Sequence, residues 1–311
     1  MPISSAQKKY NNDEHKNILP KISIVTPSFN QAAYLEETIV SVLSQNYPNL
    51  EYIIIDGGST DGSVDIIRKY EKYLAYWCCE PDRGHGDALN KGFVRSTGEI
   101  LAWINSDDKY LPWTFSIIAE IFTKYSEVNW LMGFPSFWDE QGRQVMVFKH
   151  HKNIYHYLLG DYQWIQQESV FWRRSLWDKV GSRINHDYAY MVDGELWSRF
   201  FLHDELWYVD CVLSGYRRHG SNRAALHLQE INAEMHQAIV EMKRHCSEKI
   251  LNNLKILETV KLLKRYLPKW ILAEELVERL YPRLYEEINH KRLIYKDSNW
   301  QKRKEKFVIH M

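Results

Sequence analysis

The sequence predicts an α/β protein: a mostly parallel, Rossmann-like sheet flanked by helices, followed by a helical C-terminal extension. Three observations predict it. Between Lys21 and Tyr125, short β-branched or aromatic runs alternate with segments of helical period, the pattern of a sheet wound on both sides. Each run ends in a polar loop carrying a carboxylate, a glycine or a capping residue. From about Asn222 onward the chain reads as helices only, interrupted at Pro268 and Pro282.

The elements follow in order. Residues 1–20 are polar and aperiodic, which predicts a flexible N-terminal arm. Ile22-Ser23-Ile24-Val25 is the first strand, ended by Thr26-Pro27-Ser28-Phe29-Asn30, with Asn30 as N-cap of a helix carrying Leu35, Ile39, Val42 and Leu43. Tyr52-Ile53-Ile54-Ile55 is the second, its loop Asp56-Gly57-Gly58-Ser59-Thr60-Asp61-Gly62 leading to a helix through Val64, Ile67, Tyr70 and Leu74. Tyr76-Trp77-Cys78-Cys79 is the third, before Glu80-Pro81-Asp82-Arg83-Gly84 and a short helix through Ala88, Leu89 and Phe93. After Tyr125 the rhythm changes. Trp130 to Phe134 predicts an added strand, Phe137 to Phe148 a hairpin turning at Asp139 to Gly142, and Gln167 to Arg174 a further strand. Met191 to Leu202 predicts a helix, and Leu206 to Val209 and Cys211 to Leu213 short strands reaching Tyr216-Arg217-Arg218-His219.

The fourth strand of the first half is the one that organises the rest. Glu99 to Asp108 is an apolar run that ends in two adjacent carboxylates, Asp107 and Asp108, after Asn105-Ser106. In an open parallel sheet, ligands bind beyond the carboxyl ends of the strands, so this pair sits at the rim of a site. Adjacent carboxylates repel, and a divalent cation is their natural neutraliser. The alternative is that Asp108 only caps the helix that begins near Pro112.

Composition narrows the function. With 311 residues, 45% of them hydrophobic, the chain buries a large core. Forty Lys and Arg balance forty Asp and Glu, which argues against a nucleic-acid backbone as main partner. The balance is uneven: residues 241–311 carry seventeen Lys and Arg against ten Asp and Glu, suiting this tail to an anionic surface. Four cysteines form no CxxC pair, and the opening residues carry no apolar signal core, so a cytoplasmic setting with reduced thiols is expected. No run reaches the ~20 apolar residues of a membrane span. Neither a GxGxxG fingerprint nor a GxxxxGK[ST] loop occurs.

Taken together, Ile24 to Asn30, Asp56 to Gly62, Glu80 to Gly84, Asp87-Ala88-Leu89-Asn90-Lys91-Gly92 and Asn105 to Asp108 resemble, in the right order, the motifs of a family 2 glycosyltransferase with the GT-A nucleotide-sugar-binding fold. The resemblance covers residues 21–220. It implies a nucleotide-sugar-binding half at 21–125 and an acceptor-binding half at 126–220, with 221–311 as the helical extension. By the same likeness Thr26, Pro27, Ser28, Asn30 and Asp56 hold base and ribose, and Arg83, Asp87, Asn90, Lys91, Asn105 and Ser106 complete the donor site. Asp107 lies nearer the ribose and also ligates the metal, Asp108 is the chief metal ligand, and His219, near the diphosphate, is a third ligand. The leading position of the usual Asp-x-Asp motif is here Asn105, which removes one charge from that site. In Val192-Asp193-Gly194-Glu195-Leu196-Trp197 the resemblance makes Asp193 the catalytic base, with Glu195 as the alternative.

The expected function is transfer of a sugar from a nucleotide-diphosphate donor to an acceptor hydroxyl, with inversion, assisted by Mn²⁺ or Mg²⁺. The acceptor is a saccharide or a lipid-linked saccharide, and no nucleic acid is involved. A helix start favours an ionised Asp193. Trp164 and Trp172 are candidates for stacking on a sugar. A sugar-nucleotide pyrophosphorylase and a non-catalytic carbohydrate-binding protein are the alternatives. In the tail, Leu262, Leu263, Tyr266, Leu267, Trp270 and Ile271 interleave with Lys261, Lys264, Arg265 and Lys269, a mixture suited to peripheral contact with an anionic membrane; the alternative is that these residues pack on the catalytic domain or on a second subunit of a homo-oligomer.

Overall fold

The structure, a computed structural model, describes residues 19–163, 165–220, 222, 226–264, 266 and 273–308. The N-terminal arm up to residue 18, Trp164, and Arg265, Leu267, Lys269, Trp270 and Ile271 of the tail lie outside them.

Strand–loop–helix units build the first half. β1 (Ile22–Ser28), buried throughout, leads to α1 (Ala32–Leu43), which turns Leu35, Ile39 and Val42 inward. β2 (Leu50–Asp56) precedes α2 (Ser63–Tyr70), and β3 (Tyr76–Cys79) precedes α3 (His85–Arg95). β4 (Ile100–Trp103) is followed by a turn, β5 (Lys109–Tyr110) and α4 (Thr114–Lys124). The second half holds β6 (Trp130–Met132), β7 (Ser136–Trp138), β8 (Gln144–Val147) and α5 (Ile154–Leu158). It continues with β9 (Val170–Arg173), α6 (Arg174–Lys179), α7 (Val192–Phe201), β10 (Trp207–Val209) and β11 (Ser214–Arg217). The tail adds α8 (Leu228–His245), α9 (Glu248–Lys264), α10 (Ala273–Leu280), α11 (Pro282–Ile288) and the strands β12 (His290–Lys296) and β13 (Asn299–Glu305).

Nine strands form one sheet in the order β13-β12-β10-β6-β9-β4-β1-β2-β3. β1 pairs in parallel with β2 and β4, and β2 with β3, so their carboxyl ends and following loops share one rim. β9 runs antiparallel between β4 and β6. A smaller sheet, β5-β11-β7-β8, ties the segment after β4 to the segment before His219. Gly92 shows why the Asp87–Gly92 motif ends as it does: a Cβ there would lie 2.4 Å from Val25 Cγ1, so only glycine lets α3 sit this close to β1.

Four sequence expectations need correction. The tail is not helical throughout, because β12 pairs in parallel with β10 and antiparallel with β13, extending the large sheet. Asp297 and Ser298, with φ of 53° and 59°, make the two-residue turn that this hairpin needs. Asn30 is not an N-cap: Gln31 occupies that position, while Asn30 has φ of 52° and accepts from the Thr60 amide. Trp172 is fully buried among Trp103, Trp177 and Trp197, which leaves it no face for a sugar. The predicted strand from Gln167 begins only at Val170, and Gln167–Ser169 is a 3₁₀ turn. The hairpin turning at Asp139 to Gly142 forms as expected. Leu262, Leu263 and Tyr266 are exposed, and no helix among the described residues is long and apolar enough to cross a membrane.

One buried carboxylate fastens the start of this sheet. Glu51, on β2, accepts from Lys21 (2.6 Å), from the Ser23 hydroxyl of β1 (2.5 Å) and from the Thr97 amide (2.6 Å) and hydroxyl (2.8 Å) before β4. Burial opposes ionisation, but these donors outweigh it and pull the carboxyl down to about 2. Its stabilisation is therefore present above the ordinary glutamate range and is lost as pH falls toward 2. Glu51→Gln is expected to cost about 1–3 kcal/mol at neutral pH. In thermal melts, its gap from wild type should narrow steadily between pH 5 and pH 2.5.

Candidate active site

The turn after β4 separates the two adjacent carboxylates. Ser106 and Asp107 form its tip, while Asp108 turns inward and is wholly buried. Asp108 Oδ1 accepts the Arg217 backbone N–H at 2.8 Å, Asn105 Nδ2 approaches Oδ2 at 3.3 Å, and Thr38 Oγ1 donates to the Asp108 carbonyl at 2.6 Å. Burial, reinforced by Asp107 and Glu168, raises its carboxyl well above the ordinary range. Asp108 was expected as the chief metal ligand; in this structure its Oδ1 joins the turn to β11 and its Oδ2 faces Asn105. Asp107 keeps an exposed edge, and its Oδ2 lies 3.0 Å from His219 Nε2. Tyr34 stacks on the His219 ring at 4.8 Å, and Asn222 holds the His219 backbone N–H at 2.6 Å.

Among the described residues no cluster of three or more His, Cys, Asp or Glu is arranged to hold a metal ion. Asp107 and His219 offer a carboxylate and an imidazole. That pair fits Mn²⁺ or Mg²⁺, which keep coordination positions for water and substrate phosphate.

The other predicted donor-site residues divide into two groups. Thr26, Pro27 and Ser28 belong to buried β1, where Thr26 Oγ1 meets the Tyr52 hydroxyl at 3.1 Å; Ser28 ends the strand, with Phe29 exposed beyond it. Asp56 is buried and braces its own loop, accepting from the Gly58 and Ser59 amides and the Ser59 hydroxyl. Asn30 and Ser59 link the loops after β1 and β2. In contrast, Asn90 spends both ends of its amide on the Ile184 backbone, at 2.8 and 2.9 Å. Arg83 pairs with Asp87 at 3.0 Å and Lys91 with Glu80 at 2.9 Å, and none of these lines the main cavity. The Arg83 guanidinium holds the Asp87 carboxyl below its usual value.

That cavity, of about 690 Å³, opens between the end of β4 and the start of α7. Asn105, His85 and His219 line one end, Asp193 and Gly194 the other, and Trp103, Trp197 and Tyr157 stand among the wall residues. Burial pushes the Asp193 carboxyl up to about 6, and the Gly194 amide only partly offsets this. Desolvation thus outweighs the helix terminus that was expected to favour the ionised form. Glu195 is placed differently: Arg199 grips both its oxygens at 2.8 Å, and it does not line the cavity. The tail completes the site. Glu234 of α8 accepts the Ala189, Tyr190 and Met191 amides at 2.8 to 2.9 Å, capping the start of α7 from outside, and Leu228, Ile231 and Asn232 line the cavity.

Sequence reasoning missed His85, Glu168, Arg218 and Glu234. His85, whose Nε2 lies 3.2 Å from Asn105 Oδ1, stands inside the Gly84-His85-Gly86 run and was within reach. Glu234 sits on an ordinary amphipathic helix, where nothing local marks it.

Asp108→Ala leaves a buried Arg217 N–H without its acceptor, a loss of about 1–3 kcal/mol. It should lower the thermal midpoint by several degrees, whereas Asp107→Ala should stay within about 2 °C of wild type. Circular-dichroism melts of the two variants check this.

The family model for glycosyl transferase family 2 matches residues 23–187. A putative teichuronic acid biosynthesis glycosyltransferase of Bacillus subtilis is 41% identical over 99 residues, 30% of this chain and 38% of that protein. An uncharacterized glycosyltransferase of Mycobacterium tuberculosis is 37% identical over 117 residues, 37% of this chain and 45% of that protein. The chain thus spans less than half the length of these relatives. Among solved structures, S. aureus TarS in complex with UDP-GlcNAc superposes with a TM-score of 0.55 at 18% identity, over 86% of this chain and 83% of that one. A mannosyltransferase from Pyrobaculum calidifontis in complex with GDP-Man and Mn²⁺ gives 0.52 at 20% identity, over 70% and 65%.

Proposed function

The chain belongs to glycosyl transferase family 2, and from that premise we propose that it moves a sugar from a nucleotide-diphosphate donor to the hydroxyl of a saccharide or lipid-linked saccharide, by single displacement with inversion. The observation that carries this is one cavity with the Asp107–His219 pair by one end and Asp193 at the other. The donor's nucleotide lies over the loops after β1 and β2, braced by Asn30, Ser59 and Asp56. Its diphosphate reaches Asp107 and His219, which are the residues to hold Mn²⁺ or Mg²⁺. When bound, the cation supplies positive charge to the departing diphosphate. The Pyrobaculum mannosyltransferase, with GDP-Man and Mn²⁺, supports this donor class and cation.

Asp193 takes the proton of the acceptor hydroxyl. An alcohol is a poor nucleophile until a positioned base accepts its proton during attack, and a base titrating about a unit below neutral pH is well matched to that task. Tyr157, Tyr162, Tyr190 and Tyr216 give the cavity flat apolar surfaces with polar edges, a surface suited to pyranose rings. Exposed Leu262, Leu263 and Tyr266 support a peripheral membrane contact or a second copy at the tail.

Two measurements test the assignment. Release of nucleoside diphosphate from whichever of UDP-GlcNAc and GDP-Man the wild type accepts should fall on the acid side through about pH 6, where Asp193 becomes protonated. Asp193→Asn should lower that rate by ~10²–10⁴ and abolish the acid limb, with donor binding retained. A full-rate Asp193→Asn with a slow Glu195→Gln would transfer the role to Glu195. Separately, the stabilisation of the fold by UDP or GDP should depend on Mn²⁺ in the wild type and lose that dependence in Asp107→Ala, read by thermal shift.

A further inference from the structure

Gln167 and Glu168, from the turn Gln167–Ser169, stand in the wall of the cavity. Their polar atoms are incompletely used. Gln167 donates its amide to the Trp103 carbonyl at 2.5 Å, yet its Oε1 has no hydrogen-bond partner among the described residues. Glu168, only 2% exposed, also leaves Oε1 without a partner among the described residues. Native interiors seldom leave such oxygens unpaired, and both belong to side chains that line the cavity, which points to a ligand that brings donors.

Their position indicates which part of the ligand. The turn packs against β4, β5 and β11, the strands that flank Asp107 and lead to His219, and Glu168 lines the same cavity as Asp193, so it lies within reach of the diphosphate end and the base end alike. In a single displacement the transferred sugar occupies that interval. Resting on the transferase assignment above, we propose that Gln167 and Glu168 form the subsite for the hydroxyl groups of the transferred sugar, and that they select donors whose hydroxyls on that edge are unblocked. Burial holds the Glu168 carboxyl above the usual carboxylate range. A neutral carboxyl both donates and accepts, as a sugar hydroxyl does, and sets no further negative charge beside a diphosphate.

The test compares sugar with no sugar. Wild type, Glu168→Gln, Glu168→Ala and Gln167→Ala are titrated calorimetrically with Mn²⁺ and each of UDP-glucose, UDP-GlcNAc, GDP-Man and dTDP-rhamnose, alongside UDP, GDP and dTDP. Wild type should bind at least one nucleotide sugar more tightly than its parent diphosphate. The variants should lose about 10–100-fold in affinity for that sugar while binding the diphosphate as wild type does. Glu168→Gln keeps the shape, so it serves if Glu168→Ala fails to fold. An unchanged sugar preference in Glu168→Gln and Gln167→Ala, or an equal loss for sugar and diphosphate, overturns the subsite. Wild type that binds neither sugar nucleotides nor diphosphates overturns the transferase assignment itself.

Discussion

The buried guanidinium of Arg217 is the point on which the site depends. It is 1% exposed, and a cation so placed is tolerable only with its donors satisfied. Nε donates to the Asp107 carbonyl at 2.8 Å, Nη1 to the Glu140 carbonyl at 2.8 Å and Nη2 to Glu37 Oε2 at 2.7 Å, while its backbone N–H meets Asp108. Three segments thus converge on one side chain of β11: α1, the turn after β4, and the turn between β7 and β8. His219 lies two residues beyond Arg217, and Asp107 is the residue whose carbonyl is held. The spacing of the two candidate metal ligands is therefore set by this clamp, with Asp108 as its inner half.

A second constraint links that end of the cavity to the other. Trp103 of β4 stacks on Trp197 of α7 with centroids 5.6 Å apart, and Trp130 and Trp172 pack around the pair. Large aromatic contacts of this kind hold α7 against the sheet that delivers Asp107. The tail holds α7 from the opposite side through Glu234. What the sequence presented as a helical extension thus supplies part of the wall and the cap of α7.

The parts legible in the sequence were those written in local pattern: the strand–loop–helix units and the strand-terminal carboxylates. The parts that were not legible are decided by long-range contacts or by single-residue phase. Which of Asp107 and Asp108 faces out depends on one step of a turn, and the pairing of Asp108 with Arg217 spans 109 positions. The β12–β13 hairpin was hidden because its Lys and Arg residues suit a helix as well as a solvated edge strand, and its alternation matters only once β10 is there to pair with. Glu168 stood at the head of an apolar run, where nothing nearby separates a buried acid from a strand's first polar residue.

The choice between Asp193 and Glu195 shows how little sequence distance is needed to separate two roles. Two residues along a helix turn a side chain by about 200°, so the two carboxylates cannot share a face. One faces the cavity, and the other is gripped by Arg199 one turn along. Between them, Gly194 lets α8 seat close to α7: a Cβ there would lie 2.3 Å from Met235 Sδ, and a bulkier residue would have to push that flexible side chain aside. Asp193 faces the cavity, where desolvation keeps its carboxyl easier to protonate than a surface aspartate and hence a stronger base.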